Sequence, residues 1–275
     1  MIEIIRDLWQ YDFLRHALFA GILASVACGI IGAYIVVKRI VFIAGGISHT
    51  AYGGIGLGYF LGFNPIIGAI IFSLAGAGGI ALIRQKARQL EDTLIGIMWA
   101  LGMAIGIMLI DKTPGYAPNL MSYLFGNILT VPTYDLFLMA VLDIVIFAAV
   151  ALLFKEFQAL TFDEEYAEIS GLPVAFLNSL LLCLIAMTVV ILIRIVGIIL
   201  IIALLTIPAA ITIQFSHNLK KMMIYSVLLG IIFTTSGLIL SETYNITSGA
   251  TIIFIACASY AISLLIRWLI KVVRK

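Results

Sequence analysis

With 63% of its 275 residues hydrophobic, 11% charged and a mean hydropathy of +1.20, the chain holds more apolar side chains than a soluble core could bury, which excludes a soluble single domain. One membrane-crossing helix with its connection takes roughly 30 residues, because ~20 apolar residues cross the hydrocarbon, so the length allows about nine spans and no separate soluble domain. A formal net charge of +2 is a near balance, which argues against a nucleic-acid binder, whose affinity would come from a basic patch.

Taken in chain order, residues 1–13 (MIEIIRDLWQYDF) lack the basic region and cleavage site of a secretory signal. Ile2, Ile5 and Trp9 recur at helical spacing with Arg6 and Asp7 between them, which predicts a short interfacial segment at the membrane surface. Apolar runs follow near 14–37, 43–61, 65–83, 93–110, 134–154, 174–193, 195–214, 222–240 and 250–270. The predicted fold is all-α: a polytopic integral membrane helix bundle with about eight to nine transmembrane helices, formed by 1–275 as a single transmembrane domain. The second run is the weakest, because Gly45, Gly46, Gly53, Gly54, Gly56, Gly58 and Gly62 fall within it or at its end. In a membrane Gly54, Gly58 and Gly62 form a GxxxGxxxG ridge open to close backbone approach, and Gly102 and Gly106 repeat the device, so this run is predicted to be buried in the bundle.

Lys38 and Arg39, then Arg84, Lys86 and Arg88, then Lys220 and Lys221, and finally Lys271, Arg274 and Lys275 sit at alternate connections, which the positive-inside rule places in the cytoplasm. Chain parity then puts the N-terminus outside and the C-terminus inside. One cytoplasmic connection, 155–173 (KEFQALTFDEEYAEISGLP), differs from the rest: Asp163, Glu164, Glu165 and Glu168 precede Gly171 and Pro173, which predicts a short acidic helix, a glycine stop and a turn. Such a loop is either a plain solvated surface or a docking element for a partner.

An intramembrane enzyme, a transport pathway and a structural membrane subunit each need different polar residues. Cys28, Cys183 and Cys257 lie far apart with no CxxC pair and read as small packing residues. His16, His49 and His217 form no HExxH, and no GxSxG elbow occurs, so catalytic pairs for an intramembrane enzyme are missing. Gly76, Gly78 and Ala81 match GxGxxA but lie inside an apolar run with no preceding strand, so close helix packing explains them. No GxxxxGK[ST] phosphate loop is present, so any ATP that drives this protein binds a second polypeptide. His49 is the most informative single residue. An ionisable side chain in a span faces a cavity or a partner. The imidazole is either hydrogen-bonded inside the bundle or a transition-metal ligand on a pathway, the latter favoured by Ser48 beside it and the glycines around it. His49, Tyr52, Gly53 and Gly56 share one helix face, and Gly45 extends that stripe by a turn. His16 and His217 read as surface residues.

The blocks KRIVFIAGGISHTAYGGIGLGYFLG, EDTLIGIMWALGMAIGI, LFGNILTV, FDEEYAEISGLP and VGIILIIALLTIPAA, in this order between about residues 14 and 270, resemble the permease subunit of the zinc and manganese ABC importers of bacteria and archaea. The resemblance implies a multi-pass inner-membrane permease, not itself an enzyme, that moves Zn²⁺ or Mn²⁺ inward. It implies a second copy of the chain as partner, two ATPase subunits that bind ATP and Mg²⁺, and an extracytoplasmic metal-binding protein, with no cofactor bound by this chain. It makes His49 the metal contact, with Gly45, Ser48, Tyr52, Gly53 and Gly56 lining the pathway. It makes 155–173 the coupling loop, with Asp163, Glu164, Glu165, Ala167, Glu168 and Gly171 meeting the ATPase, and Ala167 and Gly171 keeping the short helix slim. The commoner pattern of the family has an aspartate four residues before the histidine, where this chain has Gly45. Residues i and i+4 share a helix face, so Gly45 removes half of a two-residue clamp. Either His49 pairs with His49 of the second permease chain, or the ion passes with transient contacts. An importer of a chelated metal or corrinoid is the neighbouring alternative.

Overall fold

A computed structural model describes residues 11–86, 91–114, 123 and 126–273. Every one of the nine apolar runs is helical. The helices are α1 Asp12–Val37, α2 Val41–Leu61, α3 Pro65–Lys86, α4 Glu91–Asp111, α5 Thr133–Leu152, α6 Phe154–Phe162, α7 Glu164–Ile169, α8 Val174–Ile193, α9 Ile198–Thr212, α10 Leu219–Tyr244 and α11 Ser248–Val273. With no water in the hydrocarbon, backbone N–H and C=O groups must pair within the segment, and helices do this at every residue. Seven of the described helices are long and apolar enough to cross a membrane. α9 is shorter, with 15 residues. α2 lies outside that set because its glycines, Ser48, His49 and Thr50 dilute its apolar residues, yet its 21 residues reach about 30 Å. The protein is a multi-pass all-α membrane bundle. Residues 1–10 of the predicted interfacial segment lie outside the described residues, while Asp12 and Phe13 already belong to α1.

The chain divides into two compact units. One comprises Met1–Val37, Ser122–Phe147 and Arg194–Lys275. Its α1 packs on α9 and α10, and α11 packs on α9 and α10. Approach is close where glycines face backbone: a Cβ at Gly32 would stand 2.1 Å from the Leu205 carbonyl oxygen, and one at Gly29 2.6 Å from the Val227 nitrogen. Hydroxyl pairs join the helices, Ser25 with Thr234 at 3.4 Å, Thr212 with Ser226 at 3.1 Å and Ser241 with Ser248 at 2.9 Å. In the same unit the helical path breaks at Gly197 (φ 83°), and the segment bearing Gly126 (φ 70°) lies against it, the Asn127 N–H donating to the Ile195 carbonyl at 3.1 Å. That bond satisfies a backbone group the break leaves open.

The other unit comprises Lys38–Met121 and Ala148–Ile193. Here α2 is packed by α3, α4 and α8, and α8 also packs on α3. As its glycine content predicts, α2 is buried over most of its length, from Ile43 to Gly58. Two glycine faces make this possible. Gly54 meets Gly68 of α3, and Gly58 meets Pro65, while Gly53 and Gly56 meet Gly102 and Gly106 of α4. Gly62, the last member of the ridge, does not pack. It takes φ 75° and ends the helix, as the Phe63 N–H donates to the Gly58 carbonyl at 3.0 Å. Of the GxGxxA match, Gly76 touches Met98 and Thr50, as close helix packing expects, whereas no atom lies within 4 Å of a Cβ position at Gly78. Among the cysteines Cys28 is buried, Cys183 half-buried and Cys257 exposed, so only the first is a core packing residue.

Candidate functional site

α2 carries the sequence-predicted stripe, and helical spacing brings Gly45, His49, Tyr52, Gly53 and Gly56 to the face that meets α4. His49 is 7% exposed and stacks on Trp99 of α4, with ring centroids 4.3 Å apart and planes 21° from parallel. Its Nδ1 is buried with no hydrogen-bond partner. The hydrogen-bonded reading of this histidine therefore has no partner at Nδ1 in the structure. A buried imidazole nitrogen left unpaired forfeits a hydrogen bond that water would have supplied, so such an atom asks for a ligand.

Around it, backbone meets backbone. A Cβ on Gly102 would stand 2.5 Å from the His49 carbonyl oxygen, and one on Gly56 2.6 Å from the Gly106 carbonyl oxygen. Tyr52 is buried with its ring against Gly106. Ser48 is fully buried and its hydroxyl donates to the Ala44 carbonyl at 2.7 Å, so it serves its own helix. Thr50 likewise donates to the Gly46 carbonyl at 2.8 Å. The stripe is thus a closed helix seam, not an open channel wall, in this structure.

At 155–173 two short helices form instead of one. α6 is amphipathic, burying Phe157 and Leu160, and its Leu160 carbonyl accepts from the Lys38 ammonium at 3.0 Å. α7 is the predicted acidic helix. Asp163 caps it, its Oδ1 accepting from the Tyr166 N–H at 2.9 Å, which satisfies an end donor of the first turn. Gly171 stops it at φ 78° while the Leu172 N–H donates to the Ala167 carbonyl at 3.1 Å. The predicted coupling residues divide by face. Glu164 accepts from the Asn178 amide, Glu165, Glu168 and Gly171 are exposed, and Ala167 is fully buried beneath the helix. Ala167 thus limits how closely α7 sits on its own unit. Tyr166 and Ile169 project outward instead, the latter 86% exposed.

Sequence reasoning missed three polar features. Trp99 becomes visible only when α2 and α4 are laid together. Asp143 sits midway along α5, buried against α1 with its carboxyl close to the Ala27 backbone and to Cys28 and with no side-chain partner. A lone acid inside the run 134–154 was the available signal. Asp135, buried at the start of α5, lies 3.8 Å from Arg194. His16 is half-buried rather than a surface residue, its Nδ1 3.0 Å from the Val131 carbonyl oxygen. Among the described residues no group of three or more His, Cys, Asp or Glu side chains is placed to hold a metal ion. An ion at His49 therefore finds no ready-made set of three such side chains among the described residues.

Seven membrane-crossing helices among the described residues, with buried polar groups and a glycine-lined seam, make this a polytopic integral membrane protein. The chain belongs to the ABC 3 transport family, whose model matches residues 10–267. It is 52% identical to an uncharacterized membrane protein of Synechocystis sp., over 97% of this chain and 95% of that one. It is 34% identical to the manganese transport system membrane protein MntC of Listeria monocytogenes, over 95% and 93% of the two chains. Among solved structures it resembles a chain of PsaBC from Streptococcus pneumoniae in complex with Fab, with a TM-score of 0.86, 32% identity and coverage of 96% and 95%.

Proposed function

We propose that this chain is the permease subunit of an ATP-binding-cassette importer that carries a divalent transition metal, Zn²⁺ or Mn²⁺, into the cytoplasm, with His49 as its contact on the route. The observation that carries the reading is an unpaired, buried imidazole nitrogen on a helix whose glycines seat it against α4, in a chain of a transport family. The metal is cargo, and imidazole nitrogen suits first-row transition metals. One nitrogen donor holds such an ion weakly, which suits conduction, because an ion that binds must also leave. In the proposed cycle the seam of Gly45, His49, Tyr52, Gly53 and Gly56 with α4 parts to admit the ion and closes behind it, with Ser48 on the neighbouring face. A second copy of the chain completes the route. An extracytoplasmic metal-binding protein delivers the ion.

The energy source in this reading is a pair of separate ATPase chains that hold ATP and Mg²⁺ and dock on 155–173. Exposed Tyr166 and Ile169 offer them apolar contact at the tip of α7, with Glu165 and Glu168 beside them. Asp163, Glu164, Ala167 and Gly171 shape that tip from within. Exposed ion pairs contribute only about 0 to 1 kcal/mol each, so the fit depends more on the shape of the helix than on its charge.

Uptake by vesicles holding the chain and its ATPase, with free Zn²⁺ and Mn²⁺ compared with chelated metal and corrinoid, tests the reading. Free-ion uptake that needs ATP is expected, and His49→Ala lowers it on the order of ten-fold or more, at least the loss typical of removing a partner of a metal ligand. Size-exclusion chromatography checks that the variant complex stays assembled. Uptake of chelates alone, or wild-type uptake by His49→Ala, refutes it.

A further inference from the structure

Gly45 and Trp99 are a matched pair. A Cβ at position 45 would stand 2.8 Å from Cζ3 and 3.2 Å from Cη2 of the Trp99 indole, so the ring occupies the space that any side chain at 45 would need. The same indole lies over the imidazole one helical turn further on, 4.3 Å away and nearly parallel. Glycine at 45 is what lets the indole reach His49. Stacking covers one face of the imidazole and not its edges, where the nitrogens that would meet an ion in the ring plane lie. Nδ1 is the edge atom without a partner.

We infer that Trp99 is the positioning residue of the metal contact: its indole fixes the His49 ring and favours the metal-bound imidazole through its π face. This rests on the reading of His49 given above. A bound divalent ion draws electron density from the imidazole and leaves the ring partly positive. An indole face attracts positive charge, most strongly where water is excluded. The pair therefore supplies by polarisation some of what a carboxylate at position 45 would supply by charge. An aromatic ring lets go more readily than an anion, so Trp99 sets occupancy without trapping the ion.

The test uses the complex in vesicles with Zn²⁺ as the probe, a closed-shell ion whose effect on fluorescence requires proximity. With Trp9→Phe and Trp268→Phe in place, Trp99 is the one remaining tryptophan of the chain. Zn²⁺ is expected to quench its emission, and His49→Ala is expected to abolish that response. Trp99→Phe, which keeps a ring, is expected to hold uptake within about three-fold, while Trp99→Ala lowers it about ten-fold, the range of one aromatic stacking contact reinforced by charge. Gly45→Asp, which displaces the indole, is expected to lower uptake alone and to recover it when combined with Trp99→Ala. That recovery separates a matched pair from two unrelated packing defects. If His49→Ala abolishes uptake while Trp99→Ala transports normally or Trp99 emission ignores Zn²⁺, Trp99 has no positioning role and the reading of His49 stands. If His49→Ala transports normally, both fall.

Discussion

The seam of α1 with α10 and the seam of α2 with α4 both rely on glycines, but their polar groups are deployed differently. In the first, Gly21, Gly29 and Gly230 admit the neighbouring helix, and the Ser25 and Thr234 hydroxyls, which donate to the Gly21 and Gly230 carbonyls of their own helices, also meet each other across the contact at 3.4 Å. In the second, Ser48 and Thr50 return their hydroxyls to their own helix, and His49 meets α4 through a stacked ring. Within a membrane the solvent gives no hydrophobic drive to helix association, so contact area and interhelical hydrogen bonds hold such seams. A hydroxyl pair fixes one register. The difference lies in what crosses each seam: a hydroxyl contact in the one, a ring stack in the other.

The largest effect expected from breaking these contacts is at Gly54, where a Cβ would stand 2.1 Å from the Gly68 carbonyl oxygen, backbone that cannot swing aside. Gly54→Val is expected to cost about 3 kcal/mol or more and to remove the monodisperse protein from size-exclusion profiles. Next comes Gly171→Leu. Nothing lies within 4 Å of its Cβ position, but φ 78° costs a non-glycine residue on the order of 1–2 kcal/mol, so α7 loses its stop while the melting temperature of the bundle changes little. Loss of ATPase association in a pull-down is the expected readout, and normal ATPase-linked transport by this variant counts against a docking role for α7.

Smaller effects separate a hydroxyl that crosses between helices, here α9 and α10, from one that serves its own helix. Ser226→Ala removes the buried partner of Thr212, 3.1 Å away, and is expected to cost about 0.6 to 1.7 kcal/mol in a detergent unfolding assay. Ser48→Ala breaks only a bond to its own helix and is expected to cost less than Ser226→Ala. Equal losses would erase the distinction between hydroxyls that bond across helices and those that bond their own. The smallest change is expected for Gly78→Ala, where no atom lies within 4 Å and alanine favours helix by about 0.5–1 kcal/mol, so stability should hold or rise slightly.

How much of this was legible in the sequence follows from the range of each interaction. The nine helices were readable because an apolar run in hydrocarbon has one local solution, and the glycine density of α2 pointed to burial without naming its neighbours. The acidic helix at 164–169 was readable from its acidic run and its Gly171 stop, both local signals. The face of Ala167 was not, because the loop sequence does not show which side of a six-residue helix meets its own unit. His49 drew attention by its chemistry alone. Trp99 could not, since its meaning depends on the register of α4 against α2, set by Gly53 with Gly102 and Gly56 with Gly106 some fifty residues apart in sequence.

The clearance at position 45 also constrains how this protein can change over evolutionary time. An indole and a side chain cannot share that volume, so a substitution that enlarges residue 45 is tolerated only after residue 99 has shrunk, and the reverse order of events holds for any lineage acquiring tryptophan at 99. With both bulky the indole is displaced from His49, whereas with both small a void is left beside His49. Positions 45 and 99 should therefore covary among relatives, with the route between the two states running through the cavity-bearing ancestor rather than the crowded one.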